Sequence, residues 1–238
     1  MKKKNAIFAA VLAVTCAFTA ACDEGDIYSD TVVSSEGRVA VLKCNLSGMT
    51  NWAGNYNLVL AGFDETSEYS NIQVSLSQSI EGKDTSIVME GVSDDVSTIE
   101  LCVVNSLRQR VLTLATSEAP QSADTITLDV GNFDVSMYSA IQHGVFTPDC
   151  AQCHGASNSA AAGLYLTEGH SYASLVNQAS TRVENGIRVV PGDSASSVLH
   201  KVIYPGNTAG LAFSHENIIT SSRVLRLIDT WIQNGAAE

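Results

Sequence analysis

Cys150-Ala151-Gln152-Cys153-His154-Gly155 is the stretch on which the fold of the second half of the chain turns. Its two thiols stand three positions apart, on one turn of helix, and a histidine follows directly. That C-x-x-C-H spacing is the attachment site of a c-type haem. The thiols reach the two vinyl groups of one porphyrin, and the histidine projects beneath the iron as proximal ligand. Other uses of the same residues make different demands. A zinc site needs a fourth ligand, and adjacent Cys153 and His154 strain a single tetrahedron. A redox dithiol wants a preceding strand in a βαβ setting, which the flanking pattern lacks. A disulfide between Cys150 and Cys153 has poor geometry. One covalent haem c, on Cys150 and Cys153 with His154 at the iron, is the expectation.

Around the motif the periodicity is helical. Asp134 is placed to cap a helix over Val135–Val145, Asp193 or Ser194 one over Ser196–Ile203, and Ser221 or Ser222 a last one. Along that last helix Val224, Leu225, Ile228, Trp231 and Ile232 recur on one face, and Gly235 stops it. Three to five helices in residues 134–238 make a small all-α domain.

Five spaced elements then stand together: Cys150-x-x-Cys153-His154-Gly155, Gly163-Leu164-Tyr165-Leu166, Val190-Pro191-Gly192-Asp193, Ser197-Val198-Leu199 and Trp231-Ile232-Gln233-Asn234-Gly235-Ala236. As a set they resemble the planctomycete-type cytochrome c domain, over Asp134 to Ala237. The resemblance implies a small all-α cytochrome c fold enclosing one haem. The family also carries a methionine on the far side of the iron, between the S-x-L helix and the last helix. This chain has Met1, Met49, Met89 and Met137 and none after His154. In the corresponding stretch, Gly206 to His215, His215 is the substitute, and His–His ligation lowers the potential relative to Met–His. The alternative is that His215 lies in a surface loop and the iron is five-coordinate. His200 is a weaker candidate, and His143 and His170 are not expected to be ligands. Arg182 and Arg188 are candidate partners of the haem propionates, since a buried carboxylate needs a charge or several donors; solvated surface arginines are the alternative. Trp231 is expected to pack the last helix against the haem edge.

From Arg38 to Val130 the pattern is alternating and β-rich. Ala40, Leu42, Cys44 and Leu46 alternate, as do Ile72, Val74 and Leu76, and Ile126, Leu128 and Val130. Further runs lie at Tyr56–Phe63, Ser86–Val92, Thr98–Val104 and Val111–Ala115, with turn residues between them. About seven short strands at this spacing suggest an antiparallel sandwich of immunoglobulin or fibronectin type. Cys44 and Cys102 are candidates for a disulfide there. Strand parity pulls the other way: if Ile99, Leu101 and Val103 face inward, Cys102 turns outward beside Glu100. The alternative face, Cys102 with Val104, works only with Glu100 at a rim.

The chain opens with Lys2, Lys3 and Lys4 and an apolar run from Ala6 to Ala21, the build of a secretory signal and too short for a comfortable bilayer span. Thr19-Ala20-Ala21-Cys22 resembles the lipobox of bacterial lipoproteins, with Thr19 in place of the usual leucine. The resemblance implies acylation of Cys22 and a membrane tether through lipid. Ordinary secretory cleavage, with Cys22 a stray thiol, is the alternative. The acidic run Asp23-Glu24-Gly25-Asp26 resembles the surface-export signal of Bacteroidetes lipoproteins, whereas Asp beside a lipidated cysteine favours the inner membrane in enterobacteria. The side of the envelope is left open between periplasm and cell surface. The expected layout is a signal peptide at 1–21, a tether at 22–37, a β-sandwich at 38–133 and a haem domain at 134–238.

Composition limits function. The 238 residues carry 45% hydrophobic and 16% charged side chains and a net charge of −12. That balance argues against nucleic acid as a partner, because phosphate neutralisation needs a basic face. Residues 23–135 hold 5 Lys and Arg against 18 Asp and Glu, while residues 136–238 hold 5 against 7. The haem half therefore lacks the lysine ring with which some cytochromes meet acidic partners. No Ser/His/Asp set, phosphate loop or spaced carboxylate pair marks an independent enzyme. The leading expectation is a tethered monohaem cytochrome that passes one electron between envelope redox proteins. The alternatives are a five-coordinate haem that binds a small ligand, and a sandwich that docks a protein or glycan with haem as an accessory.

Overall fold

Alternation along the first strand sets the sheet faces. In β1 (Arg38–Ser47) Ala40, Leu42, Cys44 and Leu46 are buried while the residues between them are half-buried or exposed, the period-two signature of a strand with one face on a core. The computed structural model describes residues 37–53, 55–155, 159–206 and 209–238. The signal segment, Cys22 and nearly all of the tether lie outside the described residues. The further strands are β2 (Tyr56–Phe63), β3 (Ile72–Ser75), β4 (Thr85–Val92), β5 (Thr98–Asn105), β6 (Arg110–Glu118) and β7 (Thr125–Asp134). They form two sheets, β4-β1-β7 and β3-β2-β5-β6. Every pairing is antiparallel except β1 with β7, which is parallel. Leu42 and Leu128 from one sheet and Leu60, Leu101 and Val103 from the other share one core.

The second sheet is buried on both faces, and that decides the disulfide. On β5, Ile99, Leu101 and Val103 point into the shared core, whereas Cys102 and Val104 join Val59, Ala61 and Phe63 in a separate apolar cluster. Cys44 belongs to the shared core. The two thiols stand on opposite faces of a sheet and both are free. The expected Cys44–Cys102 bond is therefore absent, for the reason strand parity gives. Glu100 is on no rim: at 3% exposure it is enclosed, with Thr113 donating to it at 2.7 Å and Arg110 3.4 Å away. A buried carboxylate survives where donors and a cation surround it.

Helical structure follows β7. Its elements are α1 (Met137–Ile141), α2 (Ala151–His154), α3 (Ser171–Leu175), α4 (Val198–Ile203) and α5 (Ser222–Gln233). The cap of α1 is Ser136, whose Oγ accepts from the Ser139 amide at 3.2 Å. Asp134, expected as the cap, accepts from the Ser136 amide at 2.8 Å and from Ser139 Oγ at 2.6 Å, and so braces the cap from the end of β7. Ser197 stands at the N-cap position of α4 without a side-chain cap bond, and Asp193, expected as a cap, accepts from the Ser196 amide at 3.0 Å. Ser221 caps α5. Between α1 and α2 the chain runs through wide π-type turns over Gln142–Cys150, with Pro148 inside. Proline brings no amide hydrogen and its ring crowds the preceding carbonyls, so the tighter ladder cannot close there.

The helical region is seated on the sheets. Trp52 Nε1 donates to the Val135 carbonyl at 2.8 Å. Leu112 of β6 lies so close over Gly144 that a methyl group there would meet it at 2.7 Å. Apolar core runs without a break from Leu42 and Leu101 to Ile141, Leu199 and Ile228. Among the described residues no helix is long and apolar enough to cross a membrane.

Candidate functional site

Pro148 and the wide turns deliver Cys150 to the start of α2, which is one turn long and carries Cys153 and His154 at its end. Gly155 closes it, and the position has no room for a side chain: a Cβ would sit 2.3 Å from the Ala151 carbonyl oxygen. The glycine after the histidine thus lets α2 stop where His154 is. The segment at Leu164–Leu166 locks the motif in place, since the Leu166 amide donates to the His154 carbonyl at 2.7 Å. Leu166 is held in turn by Gln142, whose Nε2 donates to its carbonyl at 3.0 Å. Tyr138 and Ser171 complete that buried polar chain.

Cys150, Cys153 and His154 line one largely apolar cleft of about 150 Å³. Its inner wall is hydrocarbon, from Leu166, Leu175 and the Leu199, Val202 and Ile203 face of α4. The turn at Val190–Asp193 aims α4: Ser197 Oγ, fully buried, accepts from the Val190 amide at 2.8 Å and donates to the Asp193 carbonyl at 2.8 Å. Leu211, Phe213 and Ile218 line the outer part, and Phe213 is 63% exposed.

Two histidines meet in the cleft. His154 Nδ1 lies 2.9 Å from the Ala161 carbonyl. A carbonyl only accepts, so the proton is on Nδ1 and the Nε2 lone pair is free, the tautomer a metal ligand needs. The ring of His215 faces it, with centroids 6.1 Å apart and planes inclined at 22°. His215 Nδ1 is buried and has no hydrogen-bond partner among the described residues, as expected of a group made for a ligand. Burial and the neighbouring His154 push the His215 imidazole toward its neutral form, the form that coordinates. The residues present therefore fit a haem that Cys150, Cys153, His154 and His215 would hold.

The rival chemistries fit less well. Burial, reinforced by Asp149, pushes the Cys150 thiol up to about 12, the opposite of the activated thiolate of a redox dithiol. Among the described residues no three His, Cys, Asp or Glu side chains are grouped to hold a metal ion by themselves, which leaves zinc without a ligand set.

The remaining expected residues divide. Arg182 lines the cleft, and its guanidinium has no partner among the described residues. Arg188 also lines it, yet its Nη1 and Nη2 already bond to Ser174 and to the carbonyls of Ala162 and Gly163. His200 is turned away from the cleft, 2.8 Å from Asp229 and stacked on Tyr204. His143 leans on Phe133, and the ring of His170 meets the Glu168 carbonyl. Trp231 is not at the cleft: it packs on Tyr138 of α1 and donates to the Ala237 carbonyl at 2.8 Å, so it joins α5 to α1. Residues that the sequence did not single out are Phe213, whose ring lies nearly perpendicular to that of His215 with centroids 4.9 Å apart, and Thr181, Gln142 and Ala162. Phe213 and Thr181 have no motif to mark them, and Gln142 would be visible only as a polar residue amid apolar helix positions. Compared with family models, curated proteins and solved structures, the chain matches none.

Proposed function

We propose that the protein is a monohaem c-type cytochrome of the cell envelope, tethered through lipid on Cys22, that carries one electron between redox partner proteins. One observation carries the proposal. The C-x-x-C-H residues Cys150, Cys153 and His154 stand at an apolar cleft where a second histidine, His215, faces the first at 6.1 Å. Bound there, haem supplies a one-electron iron couple. The chain's own residues do the rest. Cys150 and Cys153 would hold the porphyrin, and His154 and His215 the iron. The hydrocarbon wall would keep water from it, and Arg182 would pair with a propionate. Two nitrogen ligands and no thioether favour the ferric state and a low potential. The helical region is assigned, on this view, to a small cytochrome c fold and the two sheets to a sandwich of immunoglobulin or fibronectin kind. The acidic sandwich half would favour a basic partner. Electron carriage rather than enzymic turnover is proposed.

The test is an absorption spectrum of the full chain made in a host that matures c-type cytochromes. The expected result is a covalently held, six-coordinate low-spin haem that is lost in Cys150→Ser/Cys153→Ser. His215→Ala should convert it to a high-spin form that binds CO. A chain without covalent haem overturns the proposal, and an unchanged low-spin spectrum in His215→Ala removes that residue from the iron.

A further inference from the structure

We propose that Arg188 and Thr181 are positioning residues for His154: they clamp a left-handed turn whose carbonyl orients the histidine ring, and through it they set the potential of the iron. This rests on the haem assignment above. The turn is Ala161–Gly163. Ala162 within it has φ 57° and ψ 18°, a conformation that a residue with a Cβ enters only under constraint. Two side chains supply the constraint. Thr181 Oγ1 donates to the Ala162 carbonyl at 2.7 Å. Arg188 Nη2 donates to the same oxygen and to the Gly163 carbonyl, each at 3.2 Å. Arg188 Nη1 is anchored on Ser174, at 2.7 Å from the carbonyl and 3.3 Å from Oγ. That serine hydroxyl also accepts from the Tyr165 amide at 3.0 Å.

The output of the clamp is one atom. With Ala162 held left-handed, the Ala161 carbonyl points at His154 and takes its Nδ1–H at 2.9 Å. A hydrogen bond from the outer ring nitrogen fixes the imidazole plane and raises the basicity of the nitrogen that faces the metal. A more basic ligand favours the ferric state and lowers the potential. Arg188 differs here from a propionate partner in what it touches: the contacts of Nη1 and Nη2 are with the chain.

Two variants of the full haem-loaded chain separate these roles. Arg188→Lys keeps the charge and loses the fork, and Thr181→Val loses a donor that carries no charge. Midpoint potentials are measured by spectroelectrochemistry on protein whose absorbance shows intact haem. Both potentials should rise, with the reduced-to-oxidised ratio at fixed ambient potential increasing on the order of tenfold for a lost outer partner, about 59 mV for a one-electron couple. Adding Ala162→Gly to Arg188→Lys should recover part of the shift, because glycine takes the left-handed turn unaided. Unchanged potentials in both variants overturn the clamp and leave the haem assignment standing. A shift in Arg188→Lys alone assigns that residue to the haem carboxylates and also overturns the clamp. A wild-type chain without haem overturns the assignment beneath it.

Discussion

The thiol of Cys102 is fully enclosed beside the carboxylate of Glu100, and burial followed by that negative charge pushes its ionisation well above the ordinary range. Cys44, on β1 of the other sheet, is buried in the shared core, and its thiol is pushed up by burial as well. Thiol chemistry requires the thiolate and access to it, so both residues should be inert in the native protein although the expected compartment is oxidising. Iodoacetamide should label neither residue before unfolding and both after unfolding without reductant, as peptide mass mapping would show. Labelling that needs reductant even after unfolding would reveal a disulfide and refute the placement. Residue-scale information in the sequence was uneven for a physical reason. The parity of Ile99, Leu101 and Val103 places Cys102 on the outward face, because side chains alternate along any strand. Arg188 is recognisable as a cation that could approach a buried group, but its actual partners are backbone carbonyls. Every residue has such a carbonyl, so no sequence pattern distinguishes the ones an arginine will find.

At the level of elements, α2 depends on the lack of room for a side chain at Gly155. Gly155 has φ near −113°, a value open to any residue, so what bars a side chain there is space and not backbone freedom. The Ala151 carbonyl would lie 2.3 Å from a Cβ, and that backbone cannot yield without moving the turn that carries Cys153 and His154. Gly155→Ala should destabilise the protein by about 1–3 kcal/mol, the usual range for overpacking, and should lower the fraction of chains that carry haem. Thermal unfolding and the ratio of haem absorbance to protein would measure the two effects. Wild-type values for both would show that the turn relaxes freely. Strand positions were legible because alternation and turn residues repeat seven times, and β2 begins and ends where the Tyr56–Phe63 run does. The last helix was legible through its apolar face and the serine before it. The start of the motif helix was not. A continuous α-helix is the natural expectation after β7, and only the constraint at Pro148 and the bonds available to Gln142 turn it into wide π-type turns.

For the whole molecule, the chain changes from strand to helix at Asp134–Ser136, and apolar core continues across that change. A patterning change marks where secondary structure switches; it does not say whether the two parts share a core, because either arrangement satisfies the same alternation. Arg223, at the start of α5, is a main polar tie between the parts. Its Nε donates to the Arg110 carbonyl of β6 at 2.9 Å, and its guanidinium pairs with Glu68. Glu68 is largely exposed, and pairs of that kind add little, so most of the value lies in the bond to the carbonyl. Arg223→Ala should cost about 1–2 kcal/mol, within the range for a hydrogen bond from a charged donor. Because the core is shared, that loss should lower one common transition rather than split it. Unfolding of the full chain, followed by far-ultraviolet circular dichroism for the sheets and by haem absorbance for the helical region, should give coincident midpoints in wild type and variant alike. Two separated midpoints in the wild type would show that the sheets and the haem region unfold independently, and the common core would then have to be abandoned as the element that joins them.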